Sequence, residues 1–180
     1  RRATRTVMNE VFERLTAWLA PILCFTAEEA WQARVADIEN SVHLRQYDPI
    51  PAEWHNAEIV ANWDAIRNVR SVVMSALEAA RNDGTIGGSL QAAPTIHLSA
   101  DLAQYFADQD AAALFITSDA MITTDAAPSD AFVMDGVSDV AVSIAVAEGG
   151  KCGRCWKITP EVTTEDGICG RCDDVIKAVQ

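Results

Sequence analysis

Two copies of the tetrapeptide Cys-Gly-Arg-Cys near the end of this 180-residue chain constrain its fold more than any other feature. Thirteen residues separate the first copy, Cys152 to Cys155, from the second, Cys169 to Cys172. Each Cys-x-x-Cys turn lets two thiolates converge on one ion, and two turns supply the four corners of the tetrahedron that Zn²⁺ prefers. Because four thiolates leave no open coordination position, the pattern predicts one structural zinc ion bound by these four cysteines. A redox-active cysteine pair is the alternative interpretation.

The cysteine module, residues 149–180, is too short to build an adequate hydrophobic core, so we expect the metal to take the place of one. Gly149–Gly150 is interpreted as a hinge into this module. Gly153 and Gly170 are expected to adopt φ > 0 inside the two cysteine turns. The fifth cysteine, Cys24, is interpreted as a buried small hydrophobic residue and not as a ligand.

Basic and aromatic side chains cluster around the cysteines and are candidates for nucleic-acid contact. Arg or Lys can bind phosphate, and an aromatic ring can stack on an exposed base. The alternative is that the arginines are merely solvated and the tryptophan packs the module onto its neighbour. The candidate RNA-binding residues are Lys151, Arg154, Trp156, Lys157 and Arg171.

The formal net charge of -12 argues at first against nucleic acid, because Lys and Arg drive phosphate binding. The acidity is local, however. Residues 37–148 carry four basic and seventeen acidic side chains, whereas residues 149–180 carry five of each. The ends of the chain are therefore free to meet phosphate. No apolar run approaches the ~20 residues that span a bilayer, so no membrane partner is expected.

Sequence patterns predict three helices in the first half of the chain. Residues 4–19 carry apolar side chains at spacings of three and four, as in an amphipathic helix. Thr26 and Glu29 fit a capping box, so a second helix is expected from Thr26 to about Val35. The clearest apolar stripe predicts a long helix from Ile59 to Ala80.

The second half of the chain is richer in strand patterns. Thr95–Leu98 and the alternating segment from Val140 to Val146 predict strands. We therefore expect an α+β fold in three parts: residues 1–56, which hold two helices and a connector; residues 57–148, a small α/β unit; and residues 149–180, a four-cysteine zinc ribbon.

No catalytic constellation is evident, and we expect this chain to catalyse nothing by itself. Its three histidines, His43, His55 and His97, are far apart in sequence, and no Gly-rich phosphate loop or Gly-x-Ser-x-Gly motif occurs. Because the sequence begins at Arg1 and not at Met, we expect it to be a piece of a longer protein.

Several stretches along the chain carry a family resemblance. They are Leu19-Ala20-Pro21-Ile22-Leu23, Phe25-Thr26-Ala27-Glu28-Glu29-Ala30-Trp31, Gly87-Gly88-Ser89-Leu90-Gln91-Ala92, Lys151-Cys152-Gly153-Arg154-Cys155-Trp156 and Ile168-Cys169-Gly170-Arg171-Cys172. Together they resemble the C-terminal end of bacterial isoleucyl-tRNA synthetases. The first two look like the helical anticodon-binding domain that class I synthetases for Ile, Val and Leu share. The glycine turn and the four-cysteine module are more particular to the isoleucine enzyme.

The resemblance implies a role for each part. Residues 1–56 would end a helical anticodon-binding bundle, residues 57–148 would act as a spacer, and residues 149–180 would bind zinc through the four cysteines and contact tRNA. The parent enzyme would join isoleucine to its tRNA using ATP, so that ATP and Mg²⁺ belong to a catalytic domain outside this chain. The resemblance also implies a cytoplasmic monomer whose partners are tRNA and the remaining domains of the same polypeptide.

Three alternatives remain open from the sequence. A valyl- or leucyl-tRNA synthetase would explain the helices but not the cysteine module. The zinc finger of a DNA glycosylase has a similar pair arrangement, but such enzymes need an N-terminal proline nucleophile and a helix-two-turn-helix element. A purely structural zinc ribbon would bind another part of its own protein and no nucleic acid.

Overall fold

A computed structural model describes residues 2–178, which form two compact units divided between Asn56 and Ala57. The structure combines helices, a small mixed sheet and a four-cysteine cluster, so the predicted α+β class is confirmed. The boundary expected near residue 148 lies inside the second unit, and the three-part division stays a prediction.

The first unit is built on two helices joined by a short turn. Helix α1 spans Arg2–Leu19 and α2 spans Cys24–Val35, with Pro21 in the turn between them. Two 3₁₀ turns follow, at Val42–Leu44 and Ala52–Trp54. The small core of this unit consists of Ala20, Ala27, Trp31 and Val42, with Phe12 and Val35 packed against it.

Helix α2 begins two residues earlier than the capping box predicted. Leu23 occupies the N-cap position, and its carbonyl oxygen accepts a hydrogen bond of 2.8 Å from the backbone N–H of Ala27. Thr26 therefore lies inside the first helical turn, and the predicted capping box at Thr26 and Glu29 is wrong. The turn after Pro21 already supplies the first helical hydrogen bond, which allows the helix to start without a capping side chain.

The apolar stripe of α1 is exposed in this unit. The inward face carries Phe12, which packs against the core of this unit, and the buried residues Thr16 and Ala17. The hydrophobic spacing correctly predicted the helix, but burial falls on its neighbouring face. The four exposed stripe residues are Val7, Val11, Leu15 and Trp18.

Glu28 ties α2 to the segment that follows it. Its carboxylate accepts hydrogen bonds from Ser41 Oγ at 2.8 Å, from the Val42 N–H at 2.9 Å and from Gln32 Nε2 at 3.0 Å. Burial raises the pKa of the Glu28 carboxyl, but these hydrogen bonds together lower it below its ordinary value. Since the carboxylate form is favoured by folding, its stabilising contribution is present above the ordinary glutamate pKa and is lost as the pH falls through the lowered one.

We expect Glu28→Gln to lower the thermal midpoint of the first unit at pH 7, and the difference from the parent protein to shrink as the pH falls through the lowered pKa of the parent carboxyl. The measurement is the temperature at which the Trp31 indole N–H resonance is lost, at pH 7 and pH 3. The same substitution at the exposed Glu29 is the control. A difference that is equal at both pH values would contradict the expectation.

The second unit packs a long helix against a three-stranded sheet. Helix α3 spans Ala57–Asn82, and the strands are β1 (Ala92–Leu98), β2 (Met121–Thr123) and β3 (Val140–Val146). Strand β1 is central: it runs parallel to β2 and antiparallel to β3. The seven residues by which α3 contributes to the buried core are Ile66, Val69, Val72, Val73, Ala76, Leu77 and Ala80.

The predicted strands and long helix are present, with longer bounds than expected at β1. That strand begins at Ala92 and includes the buried Pro94. Its pairing with β2 starts at Thr95, one residue after Pro94. Because proline has no N–H to donate within a sheet, the sequence favoured a strand that starts after Pro94. At the N-terminal end of α3, Ile59 and Trp63 of the predicted stripe are exposed.

Short helices close the remaining edges of this core. They are α4 (Ala100–Ala103) and α5 (Ala111–Phe115), with 3₁₀ turns at Ser89–Gln91 before β1 and at Gln104–Phe106 after α4. The ring centroids of Phe106 and Phe115 lie 6.1 Å apart. Within residues 2–178, no helix combines the length and apolar character that a membrane crossing requires.

Candidate metal centre and nucleic-acid surface

The four C-terminal cysteines converge on one point. A two-stranded antiparallel hairpin, β4 (Gly150–Lys151) and β5 (Ile158–Thr159), holds the first pair in its loop. The second pair lies at the start of helix α6 (Gly170–Lys177), whose N-cap is Cys169. All four Sγ atoms lie within 4.8 Å of one another. The module is thus half hairpin and half helix, whereas a ribbon was expected.

The donor set fits a tetrahedral ion. With metal–sulfur bonds of about 2.3 Å, the edges of a tetrahedron are about 3.8 Å long. The Sγ atoms of Cys155 and Cys169 are 3.7 Å apart. Three of the four cysteines are almost fully buried, which keeps water away from the sulfurs: Cys152, Cys169 and Cys172. The cluster can therefore hold a metal ion.

The backbone makes one thiol of the cluster unusually acidic. N–H groups of Cys155 and Cys169 point at the Cys152 sulfur and lower the pKa of that thiol to about 6; the distance from Cys169 N to the sulfur is 3.3 Å. Burial raises the pKa of the Cys169 thiol to about 12 and also raises that of Cys155. Binding a divalent cation releases the remaining protons, so the affinity of the cluster for metal falls as the pH falls.

The glycines at the entrance of the module act by close packing. A Cβ on Gly149 would lie 2.2 Å from the carbonyl oxygen of Thr159, and one on Gly150 would lie 2.2 Å from that of Val162. Because two backbones touch there, the predicted hinge is wrong. The expected φ > 0 at Gly153 and Gly170 is also wrong: within the described residues the first cysteine turn places Trp156 in that region, at φ 66°.

A buried serine joins the cysteine module to the rest of the second unit, and the sequence did not reveal it. Ser118 Oγ donates a hydrogen bond of 2.5 Å to the Leu90 carbonyl and accepts one of 2.7 Å from the Ile158 N–H. Leu90 belongs to the glycine turn before β1, and Ile158 begins β5. One hydroxyl therefore joins two segments distant in sequence, and no local pattern around Ser118 could have revealed this.

The structure places the candidate RNA-binding residues on the surface of the module. Lys151, Arg154, Trp156 and Arg171 are exposed, and Lys157 is half-buried. Trp156 is 60% exposed, more than expected of a ring that packs the module onto its neighbour. The Lys151 Nζ lies 5.5 Å from the centroid of the Trp156 ring, so the structure brings Lys151 and Trp156 together. The structure therefore places a cation over one face of a ring that is more than half exposed.

Cys24 lies outside the four-cysteine cluster. It is exposed at the start of α2, and its Sγ is 3.8 Å from the carbonyl oxygen of Pro21. The expectation that Cys24 is buried is therefore wrong, because the apolar side of this turn faces outward like the stripe of α1.

Two comparisons relate this chain to known proteins. The family model described as the anticodon-binding domain of tRNA ligase matches residues 1–96. The chain is also 46% identical over 92% of its length to isoleucine–tRNA ligase of Agrobacterium fabrum, 44% identical over 99% to that of Gluconobacter oxydans and 46% identical over 96% to that of Ruegeria pomeroyi. It spans only 17–18% of the length of these relatives.

The relatives bear on two of the three alternatives left open by the sequence, and the purely structural zinc ribbon stays open. Those reported above are isoleucine–tRNA ligases, and the match to the Gluconobacter oxydans protein extends across the cysteine module as well as the helices, because it covers 99% of the chain. The predicted resemblance is confirmed, and the DNA glycosylase alternative is not favoured. With more than half of its residues matched by the family model, this chain belongs to the anticodon-binding domain family of tRNA ligases.

Proposed function

We propose that this chain is the part of an isoleucyl-tRNA synthetase that binds the anticodon arm of tRNA. The complete protein would attach isoleucine to its tRNA in the cytoplasm, as a monomer, using ATP and Mg²⁺ in a catalytic domain outside this chain. The observation that carries the proposal is the accessible Trp156 ring beside Lys151, on a chain whose family is that of anticodon-binding domains.

A structural zinc ion bound by Cys152, Cys155, Cys169 and Cys172 is the second part of the proposal. The ion would supply no catalytic chemistry, because four thiolates close its coordination shell. Its role is to hold the hairpin loop that carries Trp156 against the N-terminus of α6. The close match between the 3.7 Å separation of two sulfurs and a tetrahedral edge supports this assignment.

The surface chemistry of the module suits an unpaired stretch of RNA. Trp156 would stack on an exposed base, while Lys151, Arg154, Lys157 and Arg171 would neutralise neighbouring phosphates. Five basic residues against five acidic ones in residues 149–180 leave this region free of the strong negative charge of residues 37–148. Phosphate contacts of this kind release counterions, so the affinity should fall with rising salt.

Trp156→Ala tests the proposal. Loss of base stacking should cost about 1–3 kcal/mol, which is roughly a fivefold to hundredfold rise in the Kd for isoleucine-accepting tRNA at fixed salt. Zinc content should be unchanged, since the Trp156 side chain does not supply a ligand atom.

Trp156→Phe is the matched control, because it keeps an aromatic face on the same backbone conformation. It should retain most of the affinity. If the alanine and phenylalanine variants both bind tRNA as tightly as the parent chain, the module is a structural ribbon and the proposed role of Trp156 fails.

A further inference from the structure

Few contacts join the cysteine module to the rest of the second unit, residues 57–148, which we call the sheet part. The hydrophobic cluster of the module, Val162 with the four cysteines, is separate from the core of the sheet part. Between residues 57–148 and the described residues 149–178 there is no ion pair, and the one hydrogen bond runs from the Ile158 N–H to Ser118 Oγ. A groove of about 230 Å³ is lined by residues of both parts. The position of the module therefore depends strongly on that hydrogen bond.

The covalent link between the two parts is a single residue. Ala147 belongs to the sheet part, because its N–H donates a hydrogen bond of 2.8 Å to the Gln91 carbonyl. Gly149 belongs to the module, because a Cβ there would lie 2.2 Å from the Thr159 carbonyl oxygen. Only Glu148 lies between them. Since each residue has two soft backbone torsions, the module could turn about this link, and the link alone does not fix its orientation.

Ser118 is itself held firmly by the sheet part. It lies between α5 and β2, is only 9% exposed, and donates its N–H to the Ala92 carbonyl at 3.2 Å. Its neighbour Thr117 is fully buried. The Ser118 hydroxyl donates its one proton to the Leu90 carbonyl at 2.5 Å, which leaves the oxygen to accept from the Ile158 N–H at 2.7 Å. The sheet part therefore presents a fixed acceptor to the module.

We infer that Ser118 is a positioning residue, whose hydroxyl fixes the orientation of the cysteine module on the sheet part and thereby raises the affinity of the chain for tRNA. The link at Glu148 and the hydrogen bond at Ser118 hold the module at two points, and the second point restricts a rotation that the first allows. A module free to turn would bind tRNA only in the fraction of molecules that hold the competent orientation. The inference rests on the proposed function and adds to it a residue outside the module.

Ser118→Ala tests the inference, because it leaves the Leu90 carbonyl and the Ile158 N–H without this partner. Zinc content and protection of the Cys172 amide should be unchanged, since the four sulfurs and their cluster are untouched. Residual dipolar couplings of β3 and α6 amides should fit one alignment tensor in the parent chain and require two in the variant. The Kd for isoleucine-accepting tRNA should rise roughly tenfold, as expected if about a tenth of the molecules hold the competent orientation.

Two further variants serve as controls. Ser118→Thr keeps the hydroxyl, so its couplings and its Kd should lie closer to those of the parent chain than those of Ser118→Ala do. Ser138→Ala makes the same chemical change at an exposed serine of the sheet part and should behave like the parent chain. Protection of the β1 amides in every variant checks that the sheet part remains folded.

Orientation and tRNA affinity are separate readouts, so the inference and the proposed function can fail separately. If Ser118→Ala keeps one tensor with the couplings of the parent chain, or if it loses zinc, the positioning role is overturned while the proposed function stands. A reoriented module with an unchanged Kd also overturns the inference. If the parent chain binds isoleucine-accepting tRNA no better than an unrelated tRNA, the proposed function fails and the inference fails with it. A reoriented module with full zinc content and a raised Kd supports both.

Discussion

Cys172→Ser is expected to abolish metal binding and to unfold the segment from Gly149 to Lys177. Structural zinc in small modules has an apparent binding free energy of about 10–16 kcal/mol at pH 7, and this is also folding free energy, because the site does not exist in the unfolded segment. Cys172 is 1% exposed and its sulfur is one of the four that converge. Its replacement leaves three ligands and a buried hydroxyl.

The measurement is zinc content per chain, together with amide hydrogen exchange in the module. The parent chain should carry one zinc, and the N–H groups of Cys172 and Asp173, which donate to the Cys169 carbonyl at 2.9 Å and 3.0 Å, should be protected. In the variant we expect no bound zinc and loss of that protection.

Cys24→Ser is the matched control, since Cys24 is exposed and lies outside the cluster. Zinc content and exchange rates should be unchanged by it. Full zinc content in Cys172→Ser would contradict the assignment of Cys172 as a ligand. Loss of zinc in Cys24→Ser would show that the metal is bound elsewhere.

Unfolding in Cys172→Ser should remain local. The core between α3 and the three-stranded sheet forms one hydrophobic cluster, and Val162 with the four cysteines forms another. Because these clusters are separate, strand amides of β1 and β3 should stay protected in the variant. The hydrogen bond from Ile158 to Ser118 should be lost, since it depends on the position of β5.

The cysteine cluster could be predicted because its determinants are local. Two thiols separated by two residues can reach one ion from a single turn, so the spacing alone indicates the chemistry. Helix α3 was predictable for a similar reason, as the spacing of its apolar side chains matches the face that it buries from Ile66 to Ala80. The alternation from Val140 to Val146 correctly predicted strand β3, although burial along this strand does not alternate.

The remaining features depend on contacts between distant segments. Ser118 is joined to Leu90 and to Ile158 across 28 and 40 residues, and a lone serine carries no sign of such a role. Likewise, the exposed stripe of α1 shows that spacing predicts a helix but not which face its neighbours cover. The glycines at 149 and 150 suggested flexibility, whereas the tertiary structure uses them for close packing.

Trp31→Ala is expected to have the largest effect on the first unit. Trp31 is 5% exposed in a core of few residues, its ring stacks on Phe12 with centroids 6.1 Å apart, and the Arg45 guanidinium lies 4.6 Å from its centroid. Its indole N–H also donates a hydrogen bond of 2.7 Å to the Asn40 carbonyl. Truncation of a buried Trp to Ala costs about 3–5 kcal/mol.

So large a loss should remove most of the stability of a unit this small, because small units bury little surface. The measurement is the denaturant midpoint of the first unit, followed by the exchange of α2 amides. Trp18→Ala is the matched control: Trp18 is 43% exposed, so the same truncation there should cost less than about 1 kcal/mol. If both substitutions lower the midpoint equally, the core of this unit does not centre on Trp31, and the face of α1 that carries Trp18 must be buried in solution.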